Sequence, residues 1–388
     1  MSKLALDKFS KLPKIELHAH LSGSVRYHTI IDLLNEELNA LDSAEPQKIK
    51  SEIDLLNCLK NKPSISCTNS RSLSECFQVF TILHRLLNNL NILEKVTHDI
   101  LQDFESDNCV YLELRTTPRN IYDQNRTKIL VSKRHYLKKI INVLENFERC
   151  HKMRVRLLLS VDRAKGVQDG LENVLLANEL ESKYIVGIDF SGNPHVNSFQ
   201  DFEQIFNICK ENGLKTTVHI AEIWNDRDKD FILKKIRPDR IGHSVCLDQE
   251  EVEYLIQNPI PIEICPTSNL VTKCVHQIDK HPFFDFYSKN KNYPLTICTD
   301  DCGIFDITLS KEYELISEAF KLSHEQMFYL SKTKMNFTEI LRWCNDYSAS
   351  DAQGFDPFCP LPVSNPPLDR YRDSNMDGPK FLEPILVF

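Results

Sequence analysis

The chain has 388 residues, 41% hydrophobic and 26% charged, with a net charge of -8. That balance excludes a generalised nucleic-acid or anionic-membrane surface and points to a small-molecule partner. No run approaches the roughly 20 apolar residues of a membrane span, and residues 1–14 lack the continuous apolar core of a signal peptide, so a cytoplasmic protein is expected. Its 13 cysteines include no CxxC pair and are expected as mostly buried, reduced thiols.

Short β-branched runs ending in polar residues predict eight strands, at 14–20, 110–115, 155–161, 185–190, 216–220, 240–243, 261–265 and 295–301. Segments with helical apolar spacing, such as 204–212 and 312–321, lie between them. Eight strands alternating with helices predict an α/β fold, a parallel sheet closed into a TIM (β/α)8 barrel. The competing open, doubly wound sheet lacks its signature: no glycine-rich dinucleotide or phosphate loop follows any strand, and the chain has only 10 glycines. About ninety residues separate the first two strands, far more than one crossover helix needs, and 77–84 is apolar and periodic. Extra helices at about 68–106, capping the C-terminal mouth, are therefore expected. The stretch 41–66, with Pro46 and Pro63, reads as a surface excursion. Residues 1–350 form the expected barrel domain, and 351–388 a proline-rich tail.

In such a barrel, polar residues at the carboxyl ends of strands face the active-site mouth. The first strand ends in His18-Ala19-His20, and a period of two turns both imidazoles to one face. The fifth ends in His219 with Glu222 three residues on, the sixth in His243, and the eighth in Asp300-Asp301. A lone strand histidine is ordinarily a hydrogen-bonded core residue, and paired acids ordinarily a turn or cap. Four strand ends carrying such groups together point instead to a catalytic zinc, which needs a few protein ligands and one position left for water. Cys298 and Cys302 flank the aspartates as possible competitors for the metal, or as small packing residues.

His18-Ala19-His20, Val218-His219-Ile220-Ala221-Glu222, Arg240-Ile241-Gly242-His243 and Cys298-Thr299-Asp300-Asp301 together resemble the adenosine/AMP deaminase family of the amidohydrolase superfamily, over about residues 12–330. The resemblance implies a purine deaminase binding one Zn2+ per chain through His18, His20, His219 and Asp300. It further implies Glu222 as proton donor to ring N1, and His243 and Asp301 handling the attacking water. Gly192, in Asp189-Phe190-Ser191-Gly192-Asn193-Pro194, matches the position whose backbone N–H meets the purine, and His20, Ser22 and Asp301 fall at substrate-contacting positions. This differs from the cytidine-deaminase design, whose P-C-x-x-C is absent here. A bridging carbamate of a two-metal hydrolase is also disfavoured, because Ile188-Asp189-Phe190 offers no lysine.

The loop Arg115-Thr116-Thr117-Pro118-Arg119 offers two hydroxyls and a guanidinium fork suited to a phosphate monoester, although the same spacing fits a solvated proline turn. Thr116, Thr117, Pro118 and Arg119 after Leu-Glu-Leu-Arg are similar to the branch of the family that converts N6-methyl-AMP to IMP and methylamine. His84 and Asp162 fall at that branch's substrate positions. Ser22, Asn193 and Cys302 depart from its pattern, where asparagine, aspartate and lysine are usual. The expected protein is a monomeric enzyme acting on a purine nucleotide, with no nucleic-acid or membrane partner. The alternatives are an adenosine deaminase for the free nucleoside and a catalytically silent barrel serving as a binding protein.

Overall fold

The computed structural model describes residues 8–40, 46–60, 73–123, 127–180, 182–224 and 226–332. Eight parallel strands form one sheet in chain order: β1 (Lys14–His20), β2 (Cys109–Thr116), β3 (Arg154–Asp162), β4 (Ile185–Ser191), β5 (Lys215–Ile220), β6 (Arg240–His243), β7 (Ile262–Ile264) and β8 (Leu295–Ile297). The chain closes it into a barrel just beyond β8. A parallel bridge joins Ala19 to Asp300, His20 N–H donates to Asp300 O at 3.0 Å, and Asp300 N–H donates to His18 O at 2.8 Å. The predicted eighth strand was drawn through Asp301; it ends at Ile297, and Asp300 sits at φ +62°, which breaks the extended run.

Helices cover the outer wall because their crossovers carry an apolar stripe against the sheet. α1 (Tyr27–Ala40), α2 (Pro46–Lys60), α3 (Leu73–Leu86) and α4 (Leu90–Ser106) all lie between β1 and β2, as the length of that segment demanded. Asn89 caps α4 by accepting the N–H of Asn91 at 2.8 Å, and the face of Leu93, Val96, Thr97, Ile100, Leu101 and Phe104 is buried. α2 corrects the expected excursion at 41–66: Pro46 occupies the first helical position, where proline loses no bond, and Ile49 and Leu56 are buried. Pro63 and the proline-rich tail lie outside the described residues.

α5 (Lys133–Cys150), α6 (Val167–Leu180) and α7 (Glu203–Glu211) follow β2, β3 and β4, and α8 (Gln249–Gln257) follows β6. α7 and the later helix α10 (Leu309–Ala319) answer the predicted 204–212 and 312–321, shifted toward their caps. The short helix α9 (Pro266–Val271) follows β7 directly. No helix among the described residues is long and apolar enough to cross a membrane.

Candidate active site

The four residues expected to hold a metal meet at the carboxyl end of the barrel. Nε2 of His18 and Nε2 of His20 lie 3.0 and 3.1 Å from Nε2 of His219. Oδ1 of Asp300 lies 3.6 and 3.4 Å from the two first-strand nitrogens. A tetrahedral zinc about 2.0–2.1 Å from each donor places donors roughly 3.3 Å apart, so the set fits that ion. The outer nitrogens face carboxylates: Nδ1 of His18 is 2.7 Å from Glu263 Oε2, and Nδ1 of His219 is 3.1 Å from Asp189 Oδ1. A carboxylate on Nδ1 holds the ring proton there and leaves the Nε2 lone pair facing the shared point.

Beneath this point the barrel is filled with charge. Arg115 pairs with Asp189 at 2.8 Å and with Glu263, and also donates to Leu17 O at 2.8 Å. Arg240 bridges Glu263, at 2.8 Å, and Glu113. Ser160 and Thr217 complete the two carboxylates at 2.8 and 3.0 Å. Burial alone would raise the Asp189 pKa, but Arg115 and His219 hold it well below the usual carboxylate range. Glu16, pushed up to about 7 by burial, accepts the N–H of His18 at 2.7 Å and of Thr299 at 2.9 Å, tying β1 to the segment that follows β8. None of these supporting roles was read from the sequence: Arg115 was quoted only as the start of the phosphate loop but lies buried in the barrel, and Glu263 is a charge inside the apolar run Ile262-Glu263-Ile264.

Glu222, His243 and Asp301 stand beside the donors. Nε2 of His243 is 3.7 Å from Glu222 and 4.0 Å from Asp300 Oδ2. Burial pushes Glu222 up to about 8, and burial together with Asp300 and Glu222 raises Asp301. The raised pKa of the partly buried Glu222 suits proton donation. Ala221, His243, Ser244 and Asp300 all have φ between +53° and +62°, a region uncommon for non-glycine residues, and of these His243 and Asp300 line the cavity.

A cavity opens over the donors, lined by His20, Ser22, His84, Thr117, Asp162, Gly192, His219, Glu222, His243, Asp300 and Asp301 among the expected residues, with His18 beneath. Phe80 of α3, Phe305 and Ser268 also line it and were not anticipated. Gly192 sits at φ +105°, and a Cβ there would lie 2.3 Å from Asp162 Oδ1, so only glycine fits at this point of the cavity lining. The loop after β2 divides. Thr117 faces the cavity, whereas the Thr116 hydroxyl pairs with Tyr136 at 2.8 Å in the barrel wall and Pro118 is buried. Arg119 is half-buried over the Tyr136 ring, donates to Leu87 O at 3.4 Å, and keeps an Nε without a hydrogen-bond partner. Cys298 donates to Thr296 O and Cys302 takes no place among the donors. Cys265 does approach His243 and Asp300, but burial holds its thiol well above the usual range, which disfavours it as a ligand.

The sequence matches the family described as Adenosine deaminase over residues 13–340. It is 34% identical to "N6-mAMP deaminase" of Arabidopsis thaliana, covering 86% of this chain and 94% of that one. It is 35% identical to "N6-Methyl-AMP deaminase" of Homo sapiens, covering 85% and 90%. The structure of arabidopsis ADAL complexed with IMP superposes with a TM-score of 0.73 at 32% identity, over 87% of this chain and 97% of that one. On that family match and those relatives, which cover most of the barrel, the chain belongs to the adenosine deaminase family.

Proposed function

We propose that this chain is a zinc-dependent hydrolase that converts N6-methyl-AMP and water to IMP and methylamine. The observation that carries the reading is the convergence of His18, His20, His219 and Asp300 beside Glu222 and Asp301, in a cavity whose lining extends to Thr117 and His84. The relatives named as N6-methyl-AMP deaminases and the IMP complex of a related chain support the same substrate class. The four donors would hold the zinc, which when bound supplies the lowering of a water's pKa toward neutrality.

The protein's own groups then account for the proton traffic. Asp301 accepts a proton from the water, and His243 orients its oxygen toward C6. Glu222 gives a proton to N1, so that negative charge does not build on the heterocycle as the O–C6 bond forms. The C6–N6 bond then breaks, the amine leaves with the proton returned from Asp301, and the proton of the C6 hydroxyl passes to Glu222, which restores the acid and leaves the C6 carbonyl of IMP. Gly192 N–H meets the far edge of the purine, and Thr117 with Arg119 takes the phosphate. Ser22, His84 and Asp162 border the bound nucleotide. The enzyme is read as a cytoplasmic monomer with one zinc.

Metal analysis of the purified chain, with an absorbance assay on N6-methyl-AMP, AMP and adenosine, tests the reading. Turnover of the 5′-monophosphate that Arg119→Ala removes supports it. Activity on adenosine alone assigns a nucleoside enzyme, and no activity on any of the three assigns a silent barrel.

A further inference from the structure

Accepting that His243 acts on the reacting water, we propose that His281 and Asn269 are positioning residues that hold the His243 proton on Nε2 and aim it into the cavity. The backbone N–H of Phe283 can only donate, and it donates to Nδ1 of His281 at 3.1 Å. That nitrogen therefore carries no proton, and His281, which is 2% exposed, keeps its single proton on Nε2. Burial pushes its pKa down to about 3, in keeping with a neutral ring.

Nε2 of His281 lies 3.1 Å from Oδ1 of Asn269, so the imidazole donates and the amide oxygen accepts. The direction of the amide follows. Its nitrogen, which can only donate, faces Nδ1 of His243 at 3.2 Å. Nδ1 of His243 is then an acceptor, and the proton stands on Nε2, the atom that faces Glu222 and Asp300. All three side chains are 2% exposed, so no bulk water competes for these bonds.

The chain of donors runs one way because a backbone amide cannot reverse its role. A carboxylate at position 269 would do the opposite, accepting from Nδ1 and stripping Nε2 of its proton. The scaffold under Asn269 is fixed too: Asn269 N–H donates to Cys265 O at 3.0 Å, Val275 N–H donates to Asn269 O at 3.0 Å, and buried Glu312 accepts Thr267 N–H at 3.1 Å. With Nε2 protonated, His243 meets the water oxygen as a hydrogen-bond donor. The first proton of that water then goes to Asp301, whose Oδ1 is buried without a hydrogen-bond partner.

The full-length, zinc-loaded protein labelled with 15N-histidine tests this. In the wild type, His243 should show an unprotonated Nδ1 and a protonated Nε2. Asn269→Asp should exchange the two signals and lower kcat by about 10² to 10⁴, with KM within about twofold. His281→Gln, whose amide can still donate to Asn269, should keep both the signals and most of kcat. A wild-type proton on Nδ1, or an unchanged tautomer in Asn269→Asp, overturns the proposal. If Asn269→Asp does not fold, the wild-type spectrum decides alone. Failure of the purine assay with the Nε2 proton in place overturns the proposed function instead and leaves the relay standing.

Discussion

Gly242 carries a constraint that is invisible until the strands are side by side. A Cβ at that position would fall 2.6 Å from Cε1 of His18 and 3.1 Å from its Nδ1, so Gly242→Ala must push the ring off the common point. Zinc content below one per chain, with the circular dichroism spectrum retained, is the expected result; a full complement of metal would show that His18 tolerates the shift. Glu222→Gln keeps the size of the side chain and removes its acidic proton. It should bind zinc normally and lose about 10² to 10⁴ in kcat, and retained turnover would remove Glu222 from the mechanism. The candidate donors were legible one strand end at a time because imidazoles and paired acids are rare punctuation in apolar runs. Asp189, Glu263 and Arg115 were not, since one charge within a buried strand says nothing about its partner 74 or 148 residues away until the register is known.

At the scale of elements, the strands were located by composition but their ends by geometry. β7 and β8 are three residues each, shorter than the apolar runs that announced them, because the chain leaves the sheet to form α9 and the Asp300 bend. α2 was missed for a related reason: Pro46 was taken as a breaker, whereas at a first helical turn it is favourable. Leu56, 3% exposed on that helix, should cost about 2–5 kcal/mol when changed to alanine if α2 unfolds with the barrel. A smaller loss in a urea titration would show α2 melting separately. Arg115 ties β2 to β1, β4 and β7 through Leu17 O, Asp189 and Glu263. Arg115→Leu strands two buried carboxylates and should destabilise by about 3–5 kcal/mol, read from the same titration.

Across the whole molecule, the fold was legible because eight strand signals in series leave few ways to cover a parallel sheet, and the ninety-residue gap could only be an addition to it. The buried layer under the site holds Glu113, Asp189 and Glu263 against Arg115 and Arg240, one negative charge in excess. A cation above that layer favours the folded state by mass action, about 4 kcal/mol at a thousandfold excess over its Kd. Chelation should therefore lower Tm as well as abolish turnover, with both restored by added zinc. An unchanged Tm would mean that the layer is neutralised by protons instead.

The barrel's last seam is unlike the other seven. It is fastened by the backbone of His18, His20 and Asp300, and the side chains of those same residues supply three of the four donors. Shutting the cylinder and completing the reactive centre are thus one event, and a partly unzipped copy is chemically mute. Opening this rung would therefore draw the candidate donors apart and switch the reaction off.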